Sequence, residues 1–498
     1  MSQGVVRRLE DPLELLAQPG LGAVVEESAV GERRLRVPLD RIDAAAETLL
    51  ERRGRLSGLF VSTRPERSLC VVVAFRGELV VLRAALGGAT EYPSLGRFSP
   101  AALLPECELH DVEGLAPIGH PRLQRVLRPD ADRFDALAVG EGLFSIPYGP
   151  IRSGVFEAIQ YVIDTGGEDV LGLAVRPYFK RRDLERRFEG LTPELGALVA
   201  ERVAGIASIA HAVAYAQAVE RAVGIEPTRR AQRWRVVHAE LERIANHLEV
   251  ATRLAEDAAL SVGVARFGIL KEQIMRLRAQ LCGSRFGRGV VVPGGIAATP
   301  MIEPADVLAA LSRFEADLRR DRKLLLATTS FTDRLIGSGR LDGPTVEAFA
   351  GVGPVARACG VGTDARLERP YGAYVRVGSR VVTDRDGDAM GRLRVRFGEI
   401  AQSLHIIRQA FERLDKYGPE LVAEVPAATG VALGWAEAPM GEVVYHVEVA
   451  DGRVERVRIS PPSLRNWPLF VESFRGDVLT DFSFIEHSFG LSPAGADR

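Results

Sequence analysis

The run VAGIASIAHAVAYAQAV, Val203 to Val219, goes seventeen residues without a charge. A helix of that length just reaches the lower limit for crossing a bilayer; otherwise its whole circumference must be covered by protein. Ala, Gly and Ser dominate the run, His211 and Gln217 interrupt it, and Arg202 and Glu220 bound it. It therefore reads as a helix buried inside a large domain, with no direct membrane span. The 498 residues supply enough chain for two or more cored domains.

Around this run the pattern is helical, with apolar residues recurring at helical spacing over approximately 192–224, 228–257, 261–284, 303–326 and 391–414. Gly- and Pro-rich joints such as Pro293-Gly294-Gly295 separate these stretches. Near the end, Val443–Ala450, Asp451-Gly452 and Arg453–Ile459 predict a hairpin, because Asp-Gly supplies the two positive φ angles of a type I′ turn. The first 130 or so residues differ. Ile42, Ala45, Ala46, Leu49 and Leu50 predict one amphipathic helix capped at Asp40 and stopped at Gly54. Leu56–Thr63, Leu69–Phe75 and Glu78–Leu86 follow as strands, with Arg76-Gly77 as the tight turn of a half-covered antiparallel sheet. The polar passage Arg128–Arg133, leading to Gly140-Glu141-Gly142, marks a linker. The expectation is an α+β domain over residues 1–140, then a large, mainly α-helical domain with small β elements over 141–498.

Charge excludes some functions. With 64 basic against 66 acidic side chains there is no bulk positive field to hold nucleic acid. Only Lys180, Lys271, Lys323 and Lys416 are lysines, so Arg-Arg pairs reflect biased usage and do not mark a phosphate site. Cys70, Cys107, Cys282 and Cys359 are scattered, with no C-x-x-C pair for zinc or an iron–sulfur cluster. The opening MSQGVVRRLEDPLELL has acidic residues where a signal peptide needs an apolar core, and the chain reads as cytoplasmic.

Phosphate loops, H-E-x-x-H and G-x-S-x-G are lacking. In HAELERIANHL, Glu240, Arg243 and His247 share one helix face, and a carboxylate, a guanidinium and an imidazole together could relay protons. On spacing alone the plainer reading is a surface ion pair beside a histidine. His211 reads by itself as a hydrogen-bonded core histidine, and Glu157 in GPIRSGVFE as either a functional or a structural carboxylate.

Longer strings are recognisable. VAERVAGIASIAHAVAYAQAVERAVGI and RRAQRWRVVHAELERIANHL resemble the large subunit of membrane-bound [NiFe] hydrogenases of the hydrogenase-3 and hydrogenase-4 type, and equally the homologous D subunit of NADH-quinone oxidoreductase, respiratory complex I. FKRRDLERRFEG, RFGRGVVVPGGI, VGPVARACGVGTDAR, SLHIIRQAFERL and GWAEAPMGE extend the resemblance over residues 145–498. ECELHDVEGLAPIGHPRLQRVLRPD resembles the end of the complex I C subunit, with Glu108, Asp111, Gly114, Gly119, His120 and Pro121 at the motif positions. A fusion of C-like and D-like parts is what the hydrogenase-4 type large subunit (component G) shows.

The departures shape what the resemblance implies. Two C-x-x-C pairs bind nickel and iron in the hydrogenases; here those positions are Ala204, Ala207, Ser492 and Gly495, and the Arg of E-A-P-R-G is Met440. Ala, Ser and Gly cannot replace soft thiolates, so neither nickel nor any other metal is expected on this chain. The quinone-facing His and Tyr of the D subunit are likewise out of register, which leaves Tyr148, Arg152, Tyr161 or His211 to serve instead, with Arg202 a further cavity or quinone-binding candidate. Glu157, His211, Glu240 and His247 are the candidate proton relay, and a carboxylate of elevated pKa beside a histidine would suit that role. Arg182 and Glu185 belong to the structural motif FKRRDLERRFEG. By resemblance the chain binds no cofactor itself. It packs on an iron–sulfur small subunit like the B subunit of complex I, whose [4Fe-4S] cluster passes electrons to quinone or another acceptor. Membrane proteins like the antiporters and like the H subunit of complex I complete an assembly on the cytoplasmic face of the membrane. The alternative is a scaffold with a vestigial cavity.

Overall fold

The computed structural model describes residues 11–16, 21–127, 140, 142–152, 157–297, 299–412, 414 and 418–498. The chain forms two compact units, Met1–Pro129 and Asp130–Arg498. Most of the polar passage from Arg128, and the approach to the boundary placed near residue 140, lie outside the described residues.

In the first unit the strands Arg55–Ser62, Ser68–Phe75 and Glu78–Ala85 form the expected antiparallel meander, and Arg76 and Gly77 adopt φ of 48° and 85° between the last two. The sheet is larger than expected. Val24–Ala29 and Glu32–Arg36 add two strands, and Glu32–Arg36 runs parallel to Glu78–Ala85, so the sheet is mixed. The strand Ser68–Phe75 is buried at every position, so the centre of the sheet is covered on both faces. Ile42, Ala45, Ala46 and Leu49 of the helix Ile42–Glu51 are fully buried, whereas Leu50 is not. The expected Asp40 cap is replaced by a 3-10 turn, Leu39–Arg41. Arg53 takes the left-handed conformation at the helix end, and Gly54 N–H closes on the Leu49 carbonyl at 2.9 Å. A Cβ on Gly54 would stand 2.5 Å from that oxygen.

The second unit is built on the 29-residue helix Arg229–Asp257. The helices Ser261–Cys282, Pro304–Leu326 and Ala389–Phe411 match the sequence patterns, and the strands Gly430–Ala438, Gly441–Ala450 and Arg453–Ser460 form one antiparallel sheet. Asp451 and Gly452 turn its hairpin with φ of 49° and 75°. The 192–224 pattern is not one helix: Pro193–Ala200 ends, residues 201–207 turn, and Ser208–Val223 begins. In Ser208–Val223 every residue from Ser208 to Glu220 except Gln217 is buried, and Gln217 Oε1 accepts the Trp435 N–H at 2.6 Å. Its small residues have a packing cause. A Cβ on Gly434 would come within 2.0 Å of the Ala214 carbonyl, and one on Gly430 within 1.9 Å of the Ala222 carbonyl, so helix and strand meet backbone to backbone. Among the described residues no helix is long and apolar enough to cross a membrane.

Candidate functional site

The turn 201–207 carries Ala204 and Ala207, and the helix Pro493–Asp497 carries Gly495 behind its N-cap Ser492. These segments converge: a Cβ on Gly495 would lie 3.0 Å from the Ala204 Cβ and 3.3 Å from the Ser492 Cβ. Ser492 Oγ accepts the Gly495 N–H at 3.0 Å and donates to Glu157 at 2.9 Å, and Glu157 Oε2 also accepts the Ala494 N–H at 2.7 Å. Arg182 spans the junction, donating to the Arg202, Val203 and Ala494 carbonyls at 2.7, 2.8 and 2.9 Å. Arg182 thus fastens the two segments that carry Ala204, Ala207, Ser492 and Gly495, and Glu157 holds the second of them. Glu185 fastens a neighbouring strand by accepting the Ile459 N–H at 2.8 Å. No cluster of three or more His, Cys, Asp or Glu suited to a metal occurs among the described residues.

Glu240, Arg243 and His247 are fully buried, which overturns the surface ion-pair reading. Glu240 accepts Arg366 Nη1 at 3.0 and 3.1 Å, Tyr374 Oη at 2.5 Å and Ser403 Oγ at 2.6 Å, with Arg243 Nε at 3.3 Å. Arg366 also pairs with Asp364, at 2.7 Å. Arg357 lies 3.6 Å from Asp364, 2.9 Å from Glu437 and 2.7 Å from Glu399, which in turn is 2.8 Å from His247 Nε2. Arg396 stands 3.2 Å from His247 Nδ1. Since a guanidinium only donates, Nδ1 accepts and Nε2 carries the proton towards Glu399. The result is one buried chain, Glu240–Arg366–Asp364–Arg357–Glu399–His247, in which each carboxylate faces a guanidinium, as burial of charge demands.

The protonation states follow from these neighbours. Burial alone would raise the Glu240 pKa, but Arg366 and Arg243 outweigh it and hold it below the ordinary value, opposite to the elevation expected from the sequence. Glu399 is held well below its ordinary value, the charge of Arg357 and the hydrogen bond from His247 overcoming burial. Burial lowers His247 to about 4 against the pull of Glu399. Glu437 is raised by burial and by Asp364 beside it.

The other candidates lie apart. His211 is fully buried with Nδ1 2.8 Å from Tyr445 Oη, and its Nε2 has no hydrogen-bond partner. Burial lowers it to about 3, with the Arg182 charge adding to the effect. Arg202 has a half-exposed side chain bonded back to the Leu198 carbonyl, and its own carbonyl accepts Arg182 at the junction. Arg152 lies 5.0 Å from the ring centroids of both Tyr148 and Tyr161 and is bonded bidentately to Glu486 at 2.8 and 2.7 Å. Tyr161 Oη donates to Glu486 at 2.7 Å, while Tyr148 is 40% exposed. The structure therefore joins Glu240 to His247 and Tyr148 to Arg152, and leaves His211 and Glu157 in separate settings.

Sequence reasoning missed Asp364, Arg366, Arg357, Glu399, Glu437 and Glu486 as site residues. Their partners are far away in the chain; Arg366 and Glu240 are 126 residues apart. The signal that was present is a charge on an apolar helix stripe, as Glu399 shares a face with Val395 and Ile406, four residues before and seven after it. Glu242 was missed as well. It is buried, accepts the Ile209 and Ala210 N–H groups at 2.8 and 3.1 Å, and is raised to about 7 by burial, which outweighs Arg278.

Comparison with known proteins agrees with this architecture. The family described as "Respiratory-chain NADH dehydrogenase, 49 Kd subunit" matches residues 266–428. Formate hydrogenlyase subunit 5 of Escherichia coli (strain K12) is 27% identical over 447 residues, which is 82% of this chain and 77% of that protein. A D subunit of NADH-quinone oxidoreductase from Chloroflexus aurantiacus is 30% identical over 309 residues, 61% of this chain and 72% of the relative. A chain of the membrane-bound sulfane sulfur reductase, an archaeal respiratory membrane complex, shares the fold with a TM-score of 0.66 and 24% identity, over 71% of this chain and 98% of the other. The chain belongs to the family of the D subunit of NADH-quinone oxidoreductase, the respiratory-chain NADH dehydrogenase 49 kDa subunit, and is similar also to formate hydrogenlyase subunit 5 and hydrogenase-4 component G.

Proposed function

We propose that this chain is the core subunit of a membrane-associated oxidoreductase complex, working without a nickel–iron centre. One observation supports the reading: of the four positions inferred to hold thiolates in the hydrogenases, three pack against one another, a Gly495 Cβ standing only 3.0 Å from the Ala204 Cβ and 3.3 Å from the Ser492 Cβ. Ala204, Ala207, Ser492 and Gly495 offer no soft donor, so these residues do not fit the group. The electron path is assigned to an iron–sulfur partner carrying [4Fe-4S], with quinone or another acceptor meeting the half-exposed Tyr148 beside Arg152. Charge compensation is assigned to the buried chain from Glu240 to His247. Membrane partners of the antiporter and H-subunit kinds, on the cytoplasmic face, would turn the redox step into ion movement, and the residue 140 boundary would separate C-like from D-like parts.

A second reading, a scaffold with a vestigial cavity, is favoured by the engagement of Glu157 in a helix cap and of Arg152 with Glu486. Purified complex separates the two. Quinone reduction should fall at least tenfold in Glu240→Gln with assembly intact, while His211→Ala tests the separate histidine. Unchanged turnover in both variants would assign the scaffold role, and stoichiometric nickel in the complex would overturn the metal-free reading.

A further inference from the structure

The helix Phe482–Phe489 touches both halves of the candidate site. At its start Phe482 packs edge-on against Tyr148 and Tyr161, with ring centroids 5.4 and 5.0 Å apart. One turn on, Glu486 accepts the Arg152 fork at 2.8 and 2.7 Å and the Tyr161 hydroxyl at 2.7 Å. At its far end the carbonyls of Ser488 and Phe489 accept Arg396 Nη2 at 3.2 and 2.7 Å, and this negative end of a helix favours a cation. Arg392, one turn before Arg396, donates to Ser488 Oγ at 2.8 Å and lies 4.6 Å from the Phe489 ring centroid. Arg396 has no ion pair among the described residues, so those carbonyls set its place. Its other arm, Nη1, faces His247 Nδ1 at 3.2 Å. Arg396 therefore decides what His247 can do. A guanidinium N–H and an imidazolium N–H both donate, so Nδ1 gains a proton only when Nη1 withdraws. The other charges around His247 are Glu399 on Nε2, Arg357 behind Glu399, and Arg243 on the histidine's own helix.

We propose that the Phe482–Phe489 helix couples the Tyr148–Arg152 site to His247, with Glu486 and Arg396 as the positioning residues at its two ends. The proposal rests on the reading that Tyr148 and Arg152 meet the acceptor. An acceptor that gains negative charge there competes with Glu486 for the Arg152 fork. Once Glu486 is released the helix shifts, its last carbonyls loosen Arg396, and Nδ1 opens to a proton while Nε2 keeps its own towards Glu399. The helix itself carries no electron. The signal is the charge on the acceptor, and the response is one proton taken up at His247.

The test is the protonation of His247 in the full-length chain carrying 15N-labelled histidine, followed by NMR from neutral pH downwards for as long as circular dichroism shows the native fold, with His247→Gln assigning the signal. Two variants separate the link from a simple effect of charge. Arg152→Lys keeps the charge but loses the fork. Glu486→Gln removes a negative charge, which by Coulomb attraction alone would make His247 harder to protonate. The link requires the reverse: in both variants His247 should take its proton at higher pH, by about half a pH unit or more, a ~3-fold change in its protonation constant. Arg396→Lys should give the same rise, because a point charge cannot span the helix carbonyls and Nδ1 as the fork does, and Glu486→Gln added to it should give no further rise. No rise, or a fall, in whichever of Arg152→Lys and Glu486→Gln is folded would overturn the proposal. So would a Glu486→Gln rise that persists undiminished beside Arg396→Lys. The measurement needs neither quinone nor partner. A complex that fails to reduce quinone would therefore overturn the acceptor reading alone, whereas an unmoved His247 in variants of an active complex would overturn the link alone.

Discussion

Glu240 sits where Arg366, Arg243, Tyr374 and Ser403 converge, and its charge is secured by those donors instead of by water. Glu240→Gln would leave two buried guanidinium groups short of counter-charge, a loss of about 3–5 kcal/mol. Denaturant unfolding should show it as a lower midpoint with an unchanged slope, and Glu240→Gln/Arg366→Met should recover part of the loss. A recovery of nothing would mean that Arg366 is not the partner that matters. The motif Glu240-Arg243-His247 was legible as one helix face, because three and four residues separate its members. Its burial and its low carboxylate pKa were not, because they depend on Arg366 and Glu399, brought in by long-range folding.

At the scale of elements, the long helices were legible because apolar residues repeat at 3.6-residue spacing over five or more turns. The two extra strands were not, since VVEESA and ERRLR carry no alternating apolar face to betray them. The break at 201–207 was hidden by an uncharged run continuous with the helix after it. That break yields a geometric prediction. Ala204→Cys/Gly495→Cys places two thiols on Cβ positions 3.0 Å apart, slightly closer than the usual ~3.8 Å of a disulfide, so a small relaxation should let them cross-link on oxidation. Mass spectrometry reads the bond, and a reduced pair that never oxidises would contradict the closed contact.

The same turn is served by Glu242, which caps the Ser208–Val223 helix from outside. Its pKa of about 7 lies above the ordinary 4.5, so the native state holds a proton that the unfolded chain releases, and its stabilisation is lost as pH rises towards 7. His211, His238 and His247 act in the opposite sense: lowered from 6.5 to about 3, 3 and 4, they stay neutral in the native state, and stability is lost as pH falls below 6.5. The two effects oppose each other between pH 4.5 and 6.5. Glu242→Gln should therefore make stability rise more steeply with pH in that window, by up to about 1.4 kcal/mol per pH unit. An unchanged profile would show that Glu242 is already ionised in the native protein.

For the molecule as a whole, the near-zero net charge conceals an interior rich in ions. Arg243, Arg357, Arg392 and Arg396 are all fully buried, so the biased arginine usage that gave no phosphate site instead supplies fork-shaped donors at depth. The seam between the Ser208–Val223 helix and the Gly430–Ala438 strand has a consequence for how this sequence can vary. Gly430 and Gly434 press on the carbonyls of Ala222 and Ala214 with no side-chain atoms between them. A core of interlocking side chains can absorb a lost methyl in one place with a gained one in another. A backbone seam has no such currency of exchange: at Gly430 and Gly434 a saturation scan should accept glycine alone, and even Gly434→Ala should unfold or misassemble the second unit.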